Sequence, residues 1–333
     1  MAKVAINGFG RIGRAFFRIA YGDPKLDIVA INDPFITPET ARYLLTYDTV
    51  YHRYGKTVEA VEGGITVDGK FIPLLAEKDP AALPWGEKGI DLVIESTGVF
   101  LSREKASLHL QSGAKRVLLS APPKSPDIRQ FVYGVNHKEY DPAKDTILAA
   151  ASCTTNSFAP VAYILEREFG IVHAWLTTVH GYTADQRLVD SPHKKPTRGR
   201  AAAANIVPTT TGAATATTKI IPSLVGKMNG MAFRVPVPTG SVSDITAEMK
   251  TPVTVDAVNA ALTKYAEGEL NGILGVSTDP LVSSDIIGET RASVVDLTLT
   301  VVVDDRLLKV VTFYDNEWGY TNQLVRVAKH VVS

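Results

Sequence analysis

Residues 151–157 read Ala-Ser-Cys-Thr-Thr-Asn-Ser, and Cys153 is the only cysteine in the chain. A single thiol can form no intrachain disulfide and no paired-thiolate zinc site. It is either a small core residue or a nucleophile. Its neighbours favour the nucleophile, because Ser152, Thr154, Thr155 and Asn156 are polar, while Phe158, Val161, Ile164, Leu165 and Phe169 follow as an apolar stripe at helical spacing. The spacing therefore places Ser152 and Cys153 at a helix start, where hydroxyls cap and the helix dipole is expected to lower the thiol pKa. A nucleophilic thiol needs a base. Of the seven histidines, His180 ends the strand-like run Leu176-Thr177-Thr178-Val179-His180 at the mouth of a long loop. His52, His109, His137, His173, His193 and His330 stand in no special context and read as surface or packing residues. Spacing alone makes Cys153 and His180 a candidate pair.

A second constellation lies near the start of the chain. Residues 7–13 read Asn-Gly-Phe-Gly-Arg-Ile-Gly, so Gly8, Gly10 and Gly13 fit G-x-G-x-x-G. The three glycines serve a tight turn, close backbone approach to a pyrophosphate and close helix–strand packing. A strand-like run precedes them, a helical run follows, and a second strand-like run ends at Asp33, 20 residues after Gly13. That is the distance at which an acid binds an adenosine ribose. Its carboxylate repels a 2′-phosphate, and Pro34 adds no compensating charge. The cofactor implied is NAD, not NADP.

The elements that must position these groups can be read from periodicity. Lys3–Asn7, Asp27–Asn32, Asp91–Glu95, Arg116–Ser120 and Thr146–Ala150 are apolar or β-branched runs; Arg11–Ala20 and Ser102–Gln111 are helical in pattern. On Arg11–Ala20, one face carries Ile12, Ala15, Phe16 and Ile19. This alternation predicts a parallel sheet built from βαβ units. After Ser152 the strands lengthen, as in Val172–His180, Met231–Lys250 and Ser293–Tyr314, with a hairpin at Asp304-Asp305. Such strands suit an antiparallel sheet with one covered face. The expected fold class is α/β: a Rossmann-type parallel-sheet domain over residues 1–151, then an α+β catalytic domain with a mainly antiparallel sheet over 152–315. A closing helix within 316–333 is expected to pack back on the first domain. The stretch Tyr182–Gly212, with Pro192, Pro196, Gly199 and Pro208, is long for a connection and reads as functional.

Composition removes other classes. The 333 residues carry 35 basic and 35 acidic side chains, a net charge of zero, which argues against a surface built for nucleic acid or an anionic membrane. No apolar run reaches the ~18–20 residues of a membrane span. A strand-like run from Lys3 leaves no room for a signal peptide, so a cytoplasmic protein is expected.

The ordered motifs Ile-Asn-Gly-Phe-Gly-Arg-Ile-Gly-Arg (6–14), Ala-Ile-Asn-Asp-Pro-Phe (30–35), Glu-Ser-Thr-Gly-Val-Phe (95–100), Ala-Ser-Cys-Thr-Thr-Asn (151–156), Thr-Thr-Val-His (177–180), Thr-Thr-Thr-Gly-Ala-Ala (209–214), Arg-Val-Pro (234–236) and Tyr-Asp-Asn-Glu-Trp-Gly-Tyr (314–320) closely resemble phosphorylating glyceraldehyde-3-phosphate dehydrogenase. The resemblance implies oxidation of glyceraldehyde 3-phosphate with NAD and inorganic phosphate to 1,3-bisphosphoglycerate, through a thiohemiacetal and a thioester on Cys153, with His180 as base. It implies that Thr183 and Arg234 hold the substrate phosphate, and that Ser152, Thr154, Arg198, Thr211 and Gly212 hold the attacking phosphate. It further implies Arg11 and Ile12 at the pyrophosphate, Asp33 on the ribose, Lys78, Ser96, Thr97 and Ser120 near the cofactor, Asn316 on the nicotinamide amide and Tyr320 near its ring. The family is homotetrameric. This chain departs from the pattern in the loop Lys194–Arg200, where Lys195 stands in place of Asp and Thr197 in place of Arg; Gly181 and Thr215 replace Ser and Lys. Two rivals share the motifs: an enzyme acting on erythrose 4-phosphate, and a catalytically retired relative that binds nucleic acid through the basic stretch His193–Arg200.

Overall fold

Short apolar runs separated by amphipathic ones become strands and helices of one sheet layer in the computed structural model, which describes residues 1–333. The chain opens with β1 (Ala2–Asn7), α1 (Arg11–Ala20), β2 (Leu26–Asn32) and α2 (Pro38–Thr46). A meander follows, formed by β3 (Val58–Val61), β4 (Gly64–Val67) and β5 (Lys70–Leu75). Next come α3 (Trp85–Lys88), β6 (Leu92–Glu95), α4 (Arg103–Gln111), β7 (Val117–Leu119) and β8 (Ile147–Ala149). The sheet order is β3-β4-β5-β2-β1-β6-β7-β8. The six strands from β5 to β8 pair in parallel. Their order reverses at β1, and ligands of such sheets bind at this switch point. All four residues of β6 are buried, as expected for a strand covered on both faces. The antiparallel pairs β3–β4 and β4–β5 extend the sheet beyond the sequence-based expectation. Their signals are two turns, at Gly63 (φ 75°) and at Asp68-Gly69 (φ 47° and 81°).

The buried face of α1 differs from the predicted one. It carries Gly13, Ala15, Phe16, Phe17 and Ala20, while Ile12 and Ile19 keep part of their surface. The cause is Gly13: a Cβ there would lie 2.1 Å from the Gly8 carbonyl oxygen, so the helix turns this bare position toward the strand.

A second sheet is built from later elements. These are α5 (Cys153–Glu168), β9 (Ile171–Gly181), β10 (Val207–Thr210), α6 (Ala213–Ile220), β11 (Met228–Val235), β12 (Ser241–Met249), α7 (Val255–Glu267), β13 (Leu274–Ser277), β14 (Ser293–Val303), β15 (Leu307–Tyr314) and α8 (Trp318–Val331). The order is β10-β11-β9-β12-β15-β14-β13. Four of its pairings are antiparallel, and β11–β9 and β13–β14 are parallel. The fold is therefore α/β, a mostly parallel Rossmann sheet and a mainly antiparallel one.

The predicted run Met231–Lys250 is two strands. The segment 236–240, with Pro236, Pro238 and Gly240 (φ 88°), breaks it, since proline cannot donate to a ladder. The hairpin between β14 and β15 turns where predicted, at Asp304 and Asp305 (φ 50° and 55°). The loop 182–212 holds short 3₁₀ turns at Pro196–Gly199 and Ala202–Ala204 and the strand β10.

The chain divides into two units: Met1–Phe131 with His137–Ala151 and Leu324–Ser333, and Val132–Asn136 with Ser152–Gln323. The short segment 132–136 falls in the second because Gly134 lies against Leu270 and Ile273. Helix α8 contributes to both; its last part joins the first unit through Lys329–Asp23 (2.6 Å). The first unit's core includes Ala5, Ala30, Trp85, Ile90 and Val93. The second includes Ile286, Val294 and Phe313.

Candidate active site

Cys153 is the first residue of α5. Ser152 caps that helix, its Oγ accepting from the Thr155 amide at 3.1 Å. Ala151 just before it holds a left-handed backbone (φ 57°), rare for a residue with a Cβ and common at functional sites. His180 sits near the end of β9, and its Nε2 lies 3.4 Å from Cys153 Sγ. The parallel pairing of β11 with β9 sets Arg234 opposite His180. The Gly181 carbonyl accepts from Arg234 Nη1 (2.9 Å) and lies 2.7 Å from His180 Nδ1; in the tautomer that donates to it, the ring hydrogen is on Nδ1. Nε2 is then bare and faces the thiol. Arg234 Nη1 also lies 2.7 Å from Nδ1, placing a cation against the imidazole.

Burial, then the Arg234 charge, depresses His180 to about 3. Burial pushes the Cys153 thiol up, opposed by Arg234 and by hydrogen bonding from Thr154. This runs against the expected lowering of the thiol pKa: burial outweighs Arg234 and the hydrogen bonds at the helix start. Both shifts favour the neutral pair of thiol and imidazole, and Arg234 is the group that pulls toward thiolate.

Tyr314 completes the cluster, although sequence reasoning assigns it no role beyond opening the motif 314–320. Its hydroxyl bonds Thr154 Oγ1 (2.8 Å) and Thr178 Oγ1 (2.9 Å), and its ring meets His180 edge-on at 6.0 Å. Around this centre lie the other residues predicted to bind anions. Thr183 donates its amide to Gln186 Oε1 at 3.3 Å. Arg198 is held by Thr209 Oγ1 (3.0 Å) and Asp185 (2.5 Å), and its charge reaches both His180 and Arg234. Thr211 Oγ1 accepts from the Ala213 amide at 3.2 Å, and Gly212 is the N-cap of α6 with open space at its Cα. In the altered loop, Lys195 donates to Thr210 at 2.7 Å. Two buried donors in this unit, Arg234 Nε and Gln186 Nε2, have no hydrogen-bond partner. Gln186 is a residue that sequence reasoning missed.

Asn316 is nearly fully buried. Its Oδ1 accepts from Thr239 Oγ1 (3.2 Å), Gly240 N (3.1 Å) and Ser241 Oγ (2.9 Å), which fixes the orientation of its amide. Tyr320 is buried in the same unit, and burial raises its phenol pKa strongly.

In the first unit a cavity of about 380 Å³ opens at the C-terminal ends of β1, β2 and β6. Gly8, Gly10, Asp33, Lys78, Ser96 and Thr97 line it. The glycines divide their work as the motif predicts. Gly8 has φ 93°, Gly13 permits the contact described above, and Gly10 has no atom within 4 Å of a built Cβ. Gly10 is the N-cap of α1, so a pyrophosphate would meet free helix amides across open space. Asp33 accepts from the Phe9 amide (2.8 Å) and the Phe35 amide (3.0 Å), which aims its carboxylate along the cavity wall. Ser96 Oγ donates to the Gly8 carbonyl at 2.7 Å. Arg11 and Ile12 begin α1 outside the cavity wall, and the Arg11 guanidinium is paired with Asp48. Ser120 follows β7 and donates its amide to the Glu95 carbonyl at 3.0 Å. The residues present fit a dinucleotide.

His109, unremarkable in sequence, is fully buried between Trp85 and Glu95.

A dinucleotide cavity at the switch point of a Rossmann sheet and a thiol–imidazole pair among cationic and hydroxyl groups define an oxidoreductase that works through a covalent thiol. Residues 2–103 match the family described as glyceraldehyde 3-phosphate dehydrogenase, NAD binding domain, and residues 152–316 match its C-terminal domain. The chain belongs to the glyceraldehyde-3-phosphate dehydrogenase family. It is 51% identical to the glyceraldehyde-3-phosphate dehydrogenase of Geobacillus stearothermophilus over 331 residues, covering 99% of this chain and 98% of that one. It is 52% identical to that of Streptomyces coelicolor (97% and 96% covered) and 47% identical to that of Podospora anserina (99% and 97%). No helix is long and apolar enough to cross a membrane.

Proposed function

We propose that the protein oxidises glyceraldehyde 3-phosphate to 1,3-bisphosphoglycerate with NAD and inorganic phosphate, as a homotetramer in the cytoplasm. The observation that carries the chemistry is His180 Nε2 at 3.4 Å from Cys153 Sγ. As sulfur adds to the aldehyde carbon, the thiol proton passes to Nε2 and on to the aldehyde oxygen, giving a thiohemiacetal. His180 then takes the hydroxyl proton as the carbonyl re-forms. Bound NAD supplies the hydride acceptor for this step. The thioester left on Cys153 is attacked by a phosphate oxygen, and sulfur leaves as thiolate, recovering its proton from His180.

Two anions must be held. Arg234, with Thr183, takes the substrate phosphate, and its unpartnered buried Nε supports this role. Ser152, Thr154, Arg198, Thr211 and Gly212 take the attacking phosphate; Arg198 is pre-set by Asp185 and Thr209. Gly8, Gly10, Arg11, Ile12 and Gly13 take the pyrophosphate, and Asp33 the adenosine ribose. Lys78, Ser96, Thr97 and Ser120 flank the cofactor, and Asn316 and Tyr320 serve its nicotinamide end. The first domain comprises residues 1–131 and 137–151 with the end of α8, and the catalytic domain comprises 132–136 and the remainder.

Steady-state assay with NAD or NADP, with and without phosphate, tests this reading. Turnover of glyceraldehyde 3-phosphate that requires phosphate and prefers NAD is expected. Faster turnover of erythrose 4-phosphate would move the assignment to the rival enzyme, and salt-sensitive RNA binding without turnover would move it to the retired relative.

A further inference from the structure

Three adjacent strands of the first sheet end in polar residues that share one register: Asn32 on β2 pairs with Asn7 on β1, and Asn7 pairs with Glu95 on β6. All three are buried. A carboxylate has about four acceptor positions, and buried charge is tolerated when they are filled. Each oxygen of Glu95 takes two donors. Oε1 accepts from the Thr97 amide (2.8 Å) and the Thr97 hydroxyl. Oε2 accepts from Asn7 Nδ2 (2.6 Å) and faces His109 Nε2 at 3.1 Å. Asn7 Oδ1 accepts from Asn32 Nδ2 (2.7 Å), and Asn32 Oδ1 from the Glu77 amide (2.9 Å). Asn7, Asn32, Glu77 and Thr97 all line the dinucleotide cavity. One buried carboxylate thus ties its rim together.

The other side of His109 decides how this works. Trp85 Nε1 lies 3.0 Å from His109 Nδ1. An indole N–H can only donate, so Nδ1 carries no hydrogen, and the hydrogen of the neutral ring sits on Nε2, aimed at Glu95. We propose that Trp85 and His109 form a tautomer lock: the indole fixes the imidazole, the imidazole donates to Glu95, and Glu95 positions Asn7 and Thr97 for NAD. Trp85, His109 and Glu95 are positioning residues, since none of them lines the cavity.

The test uses the full-length protein, with NAD affinity from calorimetry and KM and kcat at saturating aldehyde and phosphate. NAD binding is read directly, so the result does not depend on which aldehyde is oxidised. Glu95→Gln turns an amide N–H₂ either toward the Thr97 backbone N–H or toward the N–H groups of Asn7 and His109, none of which can accept. It is expected to raise KM and Kd for NAD about ten-fold or more, with kcat at saturating NAD within about two-fold. Trp85→Phe alone is expected to cost less NAD affinity than Glu95→Gln, because Glu95 still selects the Nε2–H ring. Combined, the two changes recover at least about three-fold of the loss, because His109 can then move its hydrogen to Nδ1 and accept from the introduced amide. Additive or deeper losses in the double variant, or an unaffected NAD affinity in Glu95→Gln, would overturn the lock. If Glu95→Gln does not fold, nitrogen-15 spectra of the histidine-labelled wild type decide. A bare Nδ1 and protonated Nε2 at His109 through about pH 6 to 8 support the proposal, and the opposite tautomer or an imidazolium refutes it.

Discussion

Arg234 bears on both reacting groups, because its charge lowers the pKa of Cys153 and of His180 alike. Arg234→Gln should therefore raise the pH midpoint for alkylation of Cys153 by iodoacetamide, since the thiolate loses its nearest cation. The same change should raise KM for the aldehyde phosphate about ten-fold or more, the size of a lost charged hydrogen bond. An unmoved alkylation midpoint would remove Arg234 from the account of the thiol. Cys153→Ser should abolish oxidation while NAD still binds, because the glycine cavity is lined by other residues; calorimetric titration with NAD checks this. At Asp33 the two backbone hydrogen bonds make Asp33→Asn gentler than Asp33→Ala, as one acceptor oxygen survives. The ratio of kcat/KM for NAD over NADP should fall about ten-fold when the repelling charge is gone. The helix start at Cys153 was legible from the hydroxyls of Ser152, Thr154 and Thr155, although the premise that no core selects such neighbours fails: Thr154, Thr155 and Asn156 are buried. His180 needed the family motif, and Tyr314 was not legible at all, because its contacts span 136 and 160 residues.

The glycine turn between β1 and α1 separates binding from folding. Gly10 has ordinary helix-cap angles (φ −72°, ψ −158°) and open space at its Cα, so Gly10→Ala costs the fold little. The new methyl occupies the space a pyrophosphate needs, and KM for NAD should rise about ten-fold or more at unchanged unfolding temperature. Gly13→Ala is different, because its Cβ would lie 2.1 Å from the Gly8 carbonyl. It should lower the unfolding temperature as well as affinity. Calorimetry of both variants with and without NAD distinguishes them, and equal thermal losses would refute this division. The motif predicted these roles from spacing, but the buried face of α1 came out differently. Periodicity weighs Ile12 and Ile19 by apolarity, whereas the close approach of Gly13 to the Gly8 carbonyl sets the helix rotation. Short β3, β4 and β5 escaped notice because four to six residues carry too little alternation, though their turns did not lack signals.

Across the whole chain, the change from apolar parallel strands to long amphipathic ones at residue 152 was readable, because strand burial imprints itself on composition. What no local pattern announces is a long-range polar network such as Trp85–His109–Glu95, whose members look unremarkable until the sheet aligns them. The same hiddenness applies to buried histidines and has a consequence for acid stability. Burial and the nearby charges of His330 and Lys138 lower His137 to about 4, and burial with Arg234 lowers His180 to about 3, from 6.5 in the unfolded chain. Between those values the unfolded state binds more protons than the folded one, so stability falls as pH falls from about 6.5. Asp23, Asp48 and Asp91 also have depressed pKa values, with partners in Lys329, Arg11 and Lys115. Their contribution is complete above 3.8 and fades only below it. Acid destabilisation should therefore come in two stages, histidine first and carboxylate second. His180 contributes up to about 1.4 kcal/mol per pH unit. The half-exposed His137 contributes less because of solvent screening. In a His137→Asn/His180→Asn variant, unfolding temperature measured by calorimetry should fall less steeply than in the wild type from about pH 6.5 to about 4 and then fall with it. Parallel curves for the two proteins over that first interval would show that neither histidine is held neutral by the fold.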